Sequence, residues 1–414
     1  MTVQQIISGQ GEVSEPTELR IVAVDTLDGF RALRSAWEAL EQKDTEGSVF
    51  LSWAWLMQAF GATTGRWRVI SAWDGKDLVA VLPLKYRVHW SKTRTEFQTE
   101  IEAGGRLLWS EYTGFLCDPS HEKAAIQAIA NHLQETPWVK ISLRYVVSER
   151  RMIAFASAFP QDYFRTRFKS YRINGGETDN LLCPQVPLPD SYERYLSDCL
   201  SRNSRQKIKR FERKFLDSGE LSFAETLDHA RDIDALLALW QAKWAQVKGA
   251  ETARQVAGNY RQVLMAAQAM GLLYLSVLRQ GGRMLGALGH VLDPQHKRVH
   301  FIVAGRDEQA KGHHIGPLLH SQSIRWAIEN GYNVYDFCHG NESYKYGYGA
   351  KDMQALYLSI RPNELKALGA HLDQISQKEA LARVLSFIQE GQVDRAAAGT
   401  RQLLEQLHKA DVGP

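Results

Sequence analysis

A chain of 414 residues, 44% hydrophobic and 23% charged, has the composition of a globular protein of two or three domains. Its net charge of +3 is too small to argue for a nucleic-acid partner, and no apolar run approaches the ~18 residues that a membrane span needs. Cys117, Cys183, Cys199 and Cys338 follow neither a CxxC nor a disulfide pattern, and the N-terminus lacks a basic region followed by an apolar one; a reducing cytoplasm is the expected setting.

Residues 1–18 are polar and rich in Gly, Ser and Glu, which predicts a mobile leader. Leu19–Val24 reads as a strand and Leu27–Leu40 as an amphipathic helix with Phe30, Leu33, Trp37 and Leu40 on one face. Leu51–Phe60 is a second helix. Trp67–Trp73 and Leu78–Tyr86 flank Asp74-Gly75, a strong hairpin signal. A strand ends at Leu116, Glu122–Leu133 is helical, Val139–Val146 is a strand, and Tyr163–Ile173 with Asn180–Val186 would close an antiparallel pair. Pro184, Pro187 and Pro189 mark a boundary near residue 188.

The order then repeats. Tyr192–Leu216 reads as a long helix, Leu221–Thr226 as a strand, and Ala230–Val247 and Ala253–Met270 as helices. Leu272–Leu278 and Met284–Leu292 flank Gln280-Gly281-Gly282, and Gln354–Arg361 is a last strand. This predicts an α/β (α+β) fold of two tandem units, residues 19–188 and 189–362, each a mixed, largely antiparallel sheet flanked by helices. The tail, residues 363–414, would be helical over Leu365–Leu372, Ala380–Gln389 and Gln402–His408, as a packing or interface element.

Val299–Lys345 carries the chemistry. His300–Ala304 is a short β-rich run, Asp307–Gly316 is a polar loop, and Leu318, Leu319, Ser323, Trp326 and Ala327 recur at helical spacing up to Gly331. Asn333–Phe337 is a second strand, with Asp336 at its end. A strand passing through glycines into a helix N-terminus aims free N–H groups and a positive dipole end at one spot, which suits phosphates. An ordinary crossover whose glycines only turn corners would look the same.

These residues resemble the GNAT acyltransferase superfamily. Gln309-x-x-Gly312 through Gly316 and Pro317-Leu318-Leu319 sits where that superfamily carries its pyrophosphate loop, although His314 replaces the usual small residue. Gly331, Tyr335-Asp336-Phe337, Gly340, Glu342 and Tyr344-Lys345 look like the signature of the CelD-like branch, more distantly related to the FemAB-type aminoacyl transferases. The resemblance covers about residues 190–360. It implies direct acyl transfer in a ternary complex, with acyl-CoA or an acyl-carrier-protein thioester as donor substrate, no permanently bound cofactor, and an amine or sugar hydroxyl as acceptor. Arg306, Gly312, His313 and Gly316 are then expected to line the donor phosphates. Asp336 would orient or deprotonate the nucleophile, with Glu342 and His300 in reserve. Lys345 would counter charge on the donor or oxyanion, and Tyr344 would protonate the leaving sulfur.

The first half has Leu116-Cys117-Asp118-Pro119-Ser120 where the loop would be, without glycine and with a carboxylate that repels phosphate, so one active centre in the second half is expected. Ser201–Lys214 holds seven Lys or Arg against one Glu. It is a solvated helix face, a landing site for coenzyme A phosphates, a dock for an acyl carrier protein over Arg202–Lys214, or a contact for tRNA. No RNA-binding signature accompanies it. His313-His314 lacks the spacing of a metal pair, Cys338-His339 would point to opposite sides of a strand, and His290 and His300 are either buried structural rings or a general base. Trp53, Trp55, Trp240 and Trp244 are core or line a lipid-sized pocket. Three functions stay open: acyltransferase, FemAB-like aminoacyl-tRNA-dependent transferase, and non-catalytic subunit of a polysaccharide or natural-product assembly. The absence of sustained heptads weighs against the second.

Overall fold

The computed structural model describes residues 19–226, 228–310, 312 and 314–411. The expected leader, residues 1–18, and His313 lie outside the described residues. The first half supplies strands β1 (Arg20–Val24), β2 (Trp67–Asp74), β3 (Asp77–Ser91), β4 (Glu96–Ala103), β5 (Leu116–Cys117), β6 (Lys140–Val146) and β7 (Phe164–Phe168). It ends with the short β8 (Arg172–Ile173), β9 (Thr178–Asp179) and β10 (Leu182–Pro187). The second half supplies β11 (Ser222–Glu225), β12 (Leu273–Gln280), β13 (Arg283–Asp293), β14 (Arg298–Arg306), β15 (Val334–Asp336), β16 (Lys351–Gln354) and β17 (Leu356–Pro362).

Two mixed sheets of one design result. Their orders are β1-β2-β3-β4-β6-β17-β7, with β5 on β3, and β11-β12-β13-β14-β15-β10-β16. Each begins with four antiparallel strands and continues with one parallel neighbour, β4 beside β6 or β14 beside β15. Each then accepts a strand from the other half of the chain. β17 sits between β6 and β7, and β10 sits between β15 and β16. The tandem α/β expectation is met, and the sheets are interlocked.

The exchange corrects two sequence readings. Tyr163–Ile173 and Asn180–Val186 meet only at their near ends, where the Asn180 N–H bonds to the Tyr171 carbonyl beside the short β8–β9 pair; β7 pairs with β17, and β10 leaves for the second sheet. Gln354–Arg361 is divided at the fully buried Ala355, whose N–H bonds to the Leu181 carbonyl at 2.8 Å where the chain crosses between sheets. Local chemistry explains other departures. The helix expected over Tyr192–Leu216 breaks because Ser201 turns extended and its hydroxyl caps the next helix, accepting the Ser204 N–H. Leu365–Leu372 is not helical: Gly369 has φ +83°, its N–H goes to Glu96 and that of Lys366 to His371, so side chains satisfy the backbone there. Helix Glu149–Ser157, capped by Ser148, was not foreseen.

Apolar burial joins the halves. One continuous cluster runs from Phe30, Trp37 and Trp55 through Tyr112 to Leu236, Leu264 and Val303. Helix His229–Lys248 crosses β14 so closely that a Cβ at Gly305 would lie 2.2 Å from the Leu236 carbonyl oxygen; glycine is required. The C-terminal helices Gln377–Gln389 and Val393–Asp411 place Val384, Phe387 and Ala396 against Trp90 and Phe97 of the first sheet, so the tail packs as expected. Among the described residues no helix is long and apolar enough to cross a membrane, and all four cysteines are free.

Polar groups also cross the seam. Asp293 accepts the Val49 N–H at 2.8 Å and holds His296 at 3.0 Å. Nearby, Glu41 accepts the Trp53 N–H at 2.7 Å. Burial, with the Glu38 and Asp293 carboxylates beside it, pushes the Glu41 carboxyl up from 4.5 to about 7, against the Trp53 N–H. A raised acid stabilises the fold fully below its ordinary value, and that contribution is lost as pH rises through about 7. Glu41→Gln keeps the acceptor without the charge. Urea unfolding is expected to show the variant about 1–3 kcal/mol more stable than the parent at pH 8 and equal near pH 4. Equal stability at both would contradict the assignment.

Candidate active site

β14 and β15 pair in parallel only over Arg298–His300 and Val334–Asp336. Beyond His300 the strands part, and among the described residues no strand pairs with that edge of β14. The gap opens into a cleft of ≈ 960 Å³ between the halves, a volume suited to a small-molecule site. Helix Ile315–Glu329 begins at one end of it. Gly312 (φ +85°) and His314 (φ +48°) turn the chain into that helix, and Pro317 sits in its first turn, where its missing N–H costs nothing. The Ile315 and Gly316 N–H groups are left without intrahelical acceptors. A side chain at Gly316 would meet only open space.

The basic helix Arg202–Phe211 lies beside this loop. The His314 ring stacks on Phe211 at 3.8 Å, and Lys207 and Arg210 lie over the same Phe211 ring. Cationic side chains therefore stand near the free N–H groups.

Of the expected site residues, Arg306, Gly316, Glu342, Tyr344 and Lys345 line the cleft. Arg306 is held by Glu308 through hydrogen bonds of 2.8 and 3.1 Å. Tyr344 is 47% exposed. Lys345 is buried and donates to the carbonyls of Phe337, His339 and Gly340 at 3.1, 2.7 and 2.7 Å, with Glu342 at 3.0 Å. Its ammonium ties the loop after β15 together. Trp240 and Trp244 line the cleft, whereas the Trp55 indole is buried against Ser110.

Asp336 stands behind the cleft wall and is fully buried. One carboxylate oxygen accepts from Tyr112 Oη (2.7 Å), Gln185 Nε2 (3.1 Å) and His300 Nδ1 (3.2 Å); the other accepts the Cys338 N–H (2.8 Å). Burial raises its pKa, but His300, Tyr112 and the Cys338 N–H outweigh it and hold the carboxyl below the usual range. Its partner is His300, not Lys345. His300 is buried and lines a different cavity. His290 is a buried structural ring between Tyr274 and Tyr335, held neutral by burial with a pKa of about 3.

The turn made by Asp336 and Cys338, which has φ +53°, directs the next residue into the cleft. His339 Nδ1 lies 2.8 Å from Glu111 of the first half, its ring stacks on Tyr145 at 3.6 Å, and its buried Nε2 has no hydrogen-bond partner among the described residues. Burial raises the Glu111 pKa, but His339, helped by Arg106, wins and holds it low. His339 lines the cleft, and a carboxylate that orients an imidazole is one part of a general-base arrangement, with the far nitrogen here itself buried. Reading residues 338 and 339 as a strand hid this, because the chain has already left β15. Glu111 had no signal of its own. In the first half, the turn at Asp118 is closed by Lys43 at 2.9 Å and by Ser120.

Residues 202–346 match the protein family described as "Acetyltransferase (GNAT) domain". That span holds the basic helix, β14, the glycine-bearing loop, β15 and Lys345, so the similarity to the GNAT acetyltransferase domain falls in the second half of the chain. Its fold is similar to the crystal structure of FemX, at 10% identity and a TM-score of 0.58 over 78% of this chain and 95% of that one. A tandem GNAT protein from the clavulanic acid biosynthesis pathway matches at 10% identity and a TM-score of 0.48, over 84% of this chain and all (100%) of the other. A protein of unknown function from Bacteroides thetaiotaomicron VPI-5482 matches at 14% identity and a TM-score of 0.47, over 83% and 100%. Comparison with curated proteins gave no match.

Four donors converge on Asp336. Asp336→Asn replaces a charge with an amide that must turn its NH₂ toward one of them. The expected cost is about 2–4 kcal/mol in urea unfolding. An unchanged midpoint would show that the cluster does not hold the halves together.

Proposed function

We propose that the protein is an N-acyltransferase that moves an acyl group from a CoA or carrier-protein thioester directly to an amine, with a sugar hydroxyl as the other acceptor class. The observation that carries this reading is the Glu111–His339 pair, with its unpartnered Nε2, in the cleft that opens where β14 leaves β15. The donor pyrophosphate is assigned to Gly312, His313 and Gly316, with Arg306 and the basic helix adding positive charge. Support comes from the free N–H groups at the start of helix Ile315–Glu329 and the cations stacked nearby.

In this reading the amine attacks the thioester carbonyl and His339 Nε2 takes its proton. Glu111 stabilises the resulting imidazolium. Backbone N–H groups on the unpaired edge of β14 receive the oxyanion. The C–S bond then breaks, and the Tyr344 hydroxyl supplies a proton to the leaving thiolate, recovering one from solvent. Asp336, Lys345, Glu342 and His300 become positioning residues: Lys345 and Glu342 brace the loop that carries His339, and His300 with Asp336 braces the turn before it. Apolar acyl groups or acceptors have Trp240 and Trp244 to pack against.

Over the basic helix Arg202–Lys214, a carrier-protein donor would dock within this reading, whereas an aminoacyl-tRNA donor and a non-catalytic subunit are the alternatives to it. Thermal unfolding with acetyl- to palmitoyl-CoA separates them. A CoA donor is expected to raise the melting temperature by an amount that grows with its concentration over its dissociation constant, whereas no shift with any thioester would sink the CoA reading. Thiol release against a panel of amines is expected to fall by about 10²–10⁴-fold in His339→Gln while the CoA-dependent shift persists. Loss of the shift together with activity would instead make His339 a binding residue.

A further inference from the structure

A second cavity, ≈ 720 Å³, lies on the other side of the Asp336 cluster and shares no lining residue with the cleft. Its apolar wall includes Leu51, Phe115, Val146 and Ile153. Its polar groups are unevenly satisfied. Arg150 is answered by Glu46 and Glu122, and Arg151 by Asp44 and Glu122. Arg298 has a single hydrogen bond, to the Gln185 side-chain oxygen at 3.2 Å, and no carboxylate within ion-pair distance among the described residues. Glu149 is exposed, in the first turn of its helix.

Two buried polar atoms here have no partner among the described residues: His300 Nε2 and Ser48 Oγ. Burying such groups without a hydrogen bond is costly, so each marks a position that suits a polar neighbour. With Nδ1–H given to Asp336, Nε2 is the nitrogen left for a ligand, and in the singly protonated tautomer it is an acceptor for an O–H or N–H donor. Arg298 and His300 are two residues apart on β14, so both side chains project from the same face of the strand.

We propose that this cavity is a second small-molecule site, for a carboxylate that carries an adjacent hydrogen-bond donor and an apolar body, the chemistry of apolar α-amino and α-hydroxy acids. The carboxylate pairs with Arg298, the donor bonds to His300 Nε2, and the apolar body lies against Leu51, Phe115 and Ile153. The Tyr112–Asp336–His300 wall separates this ligand from the acyl-transfer cleft.

Isothermal titration and thermal unfolding of the full chain test the assignment with four probes: phenylalanine, 3-phenyllactate, 3-phenylpropionate and phenethylamine. Phenylalanine or 3-phenyllactate is expected to bind saturably. Loss of the donor in phenylpropionate should weaken binding at least tenfold, and loss of the carboxylate in phenethylamine should abolish it. Arg298→Gln should weaken the best probe at least tenfold. Ile153→Trp, at an exposed mouth position where folding is not at stake, should do the same by filling the entrance. Binding should be unaffected by saturating CoA. The proposal is overturned if neither acid binds, if phenethylamine binds as well, if both variants bind normally, or if CoA displaces the probe.

Discussion

A buried carboxylate has to be satisfied, and Asp336 draws its donors from segments far apart in the chain. Tyr112 comes from a loop of the first half, Gln185 from the exchanged strand β10, His300 from β14, and Cys338 from the turn after β15. Losing any of them would strand a charge in a dry interior. The pairing of β14 with β15, the insertion of β10 and the seating of Tyr112 are thereby coupled. The exchanged strands and the shared apolar cluster supply the bulk of the cohesion, and this polar knot sets the register.

The geometry has a consequence on each side. Toward the cleft, the turn closed by Asp336 and Cys338 aims His339 at Glu111, and Lys345 freezes the loop by holding three carbonyls. Away from the cleft, His300 lines the second cavity, and its other nitrogen is buried without a partner among the described residues. In this account, residues that look like acid–base candidates are the frame, and the reacting groups sit one turn further on.

Much of the fold was legible from periodicity. The β2–β3 hairpin at Asp74-Gly75, the paired helices His229–Lys248 and Ala250–Ala269, and the strand–loop–helix of β14 and Ile315–Glu329 all carry strong local patterns. The strand exchange was not legible, because β10 and β17 read as strands whichever sheet receives them. The site was half legible. Gly312, Gly316 and the motif around Asp336 announced themselves by type and spacing. Glu111 could not, since its meaning arises only when the first half packs against the loop carrying His339. Asp336 was conspicuous in sequence as a carboxylate at a strand end, and its burial among four donors could be read only from the packed structure.

The account turns on where a thioester would lie. A crystal structure with a non-hydrolysable thioether analogue of acetyl-CoA tests this directly. The account predicts the pyrophosphate on the N–H groups of the Gly312–Gly316 loop, the carbonyl oxygen at the unpaired edge of β14, and the acyl carbon facing His339. An analogue bound outside this cleft, or with its carbonyl turned away from His339, would contradict it.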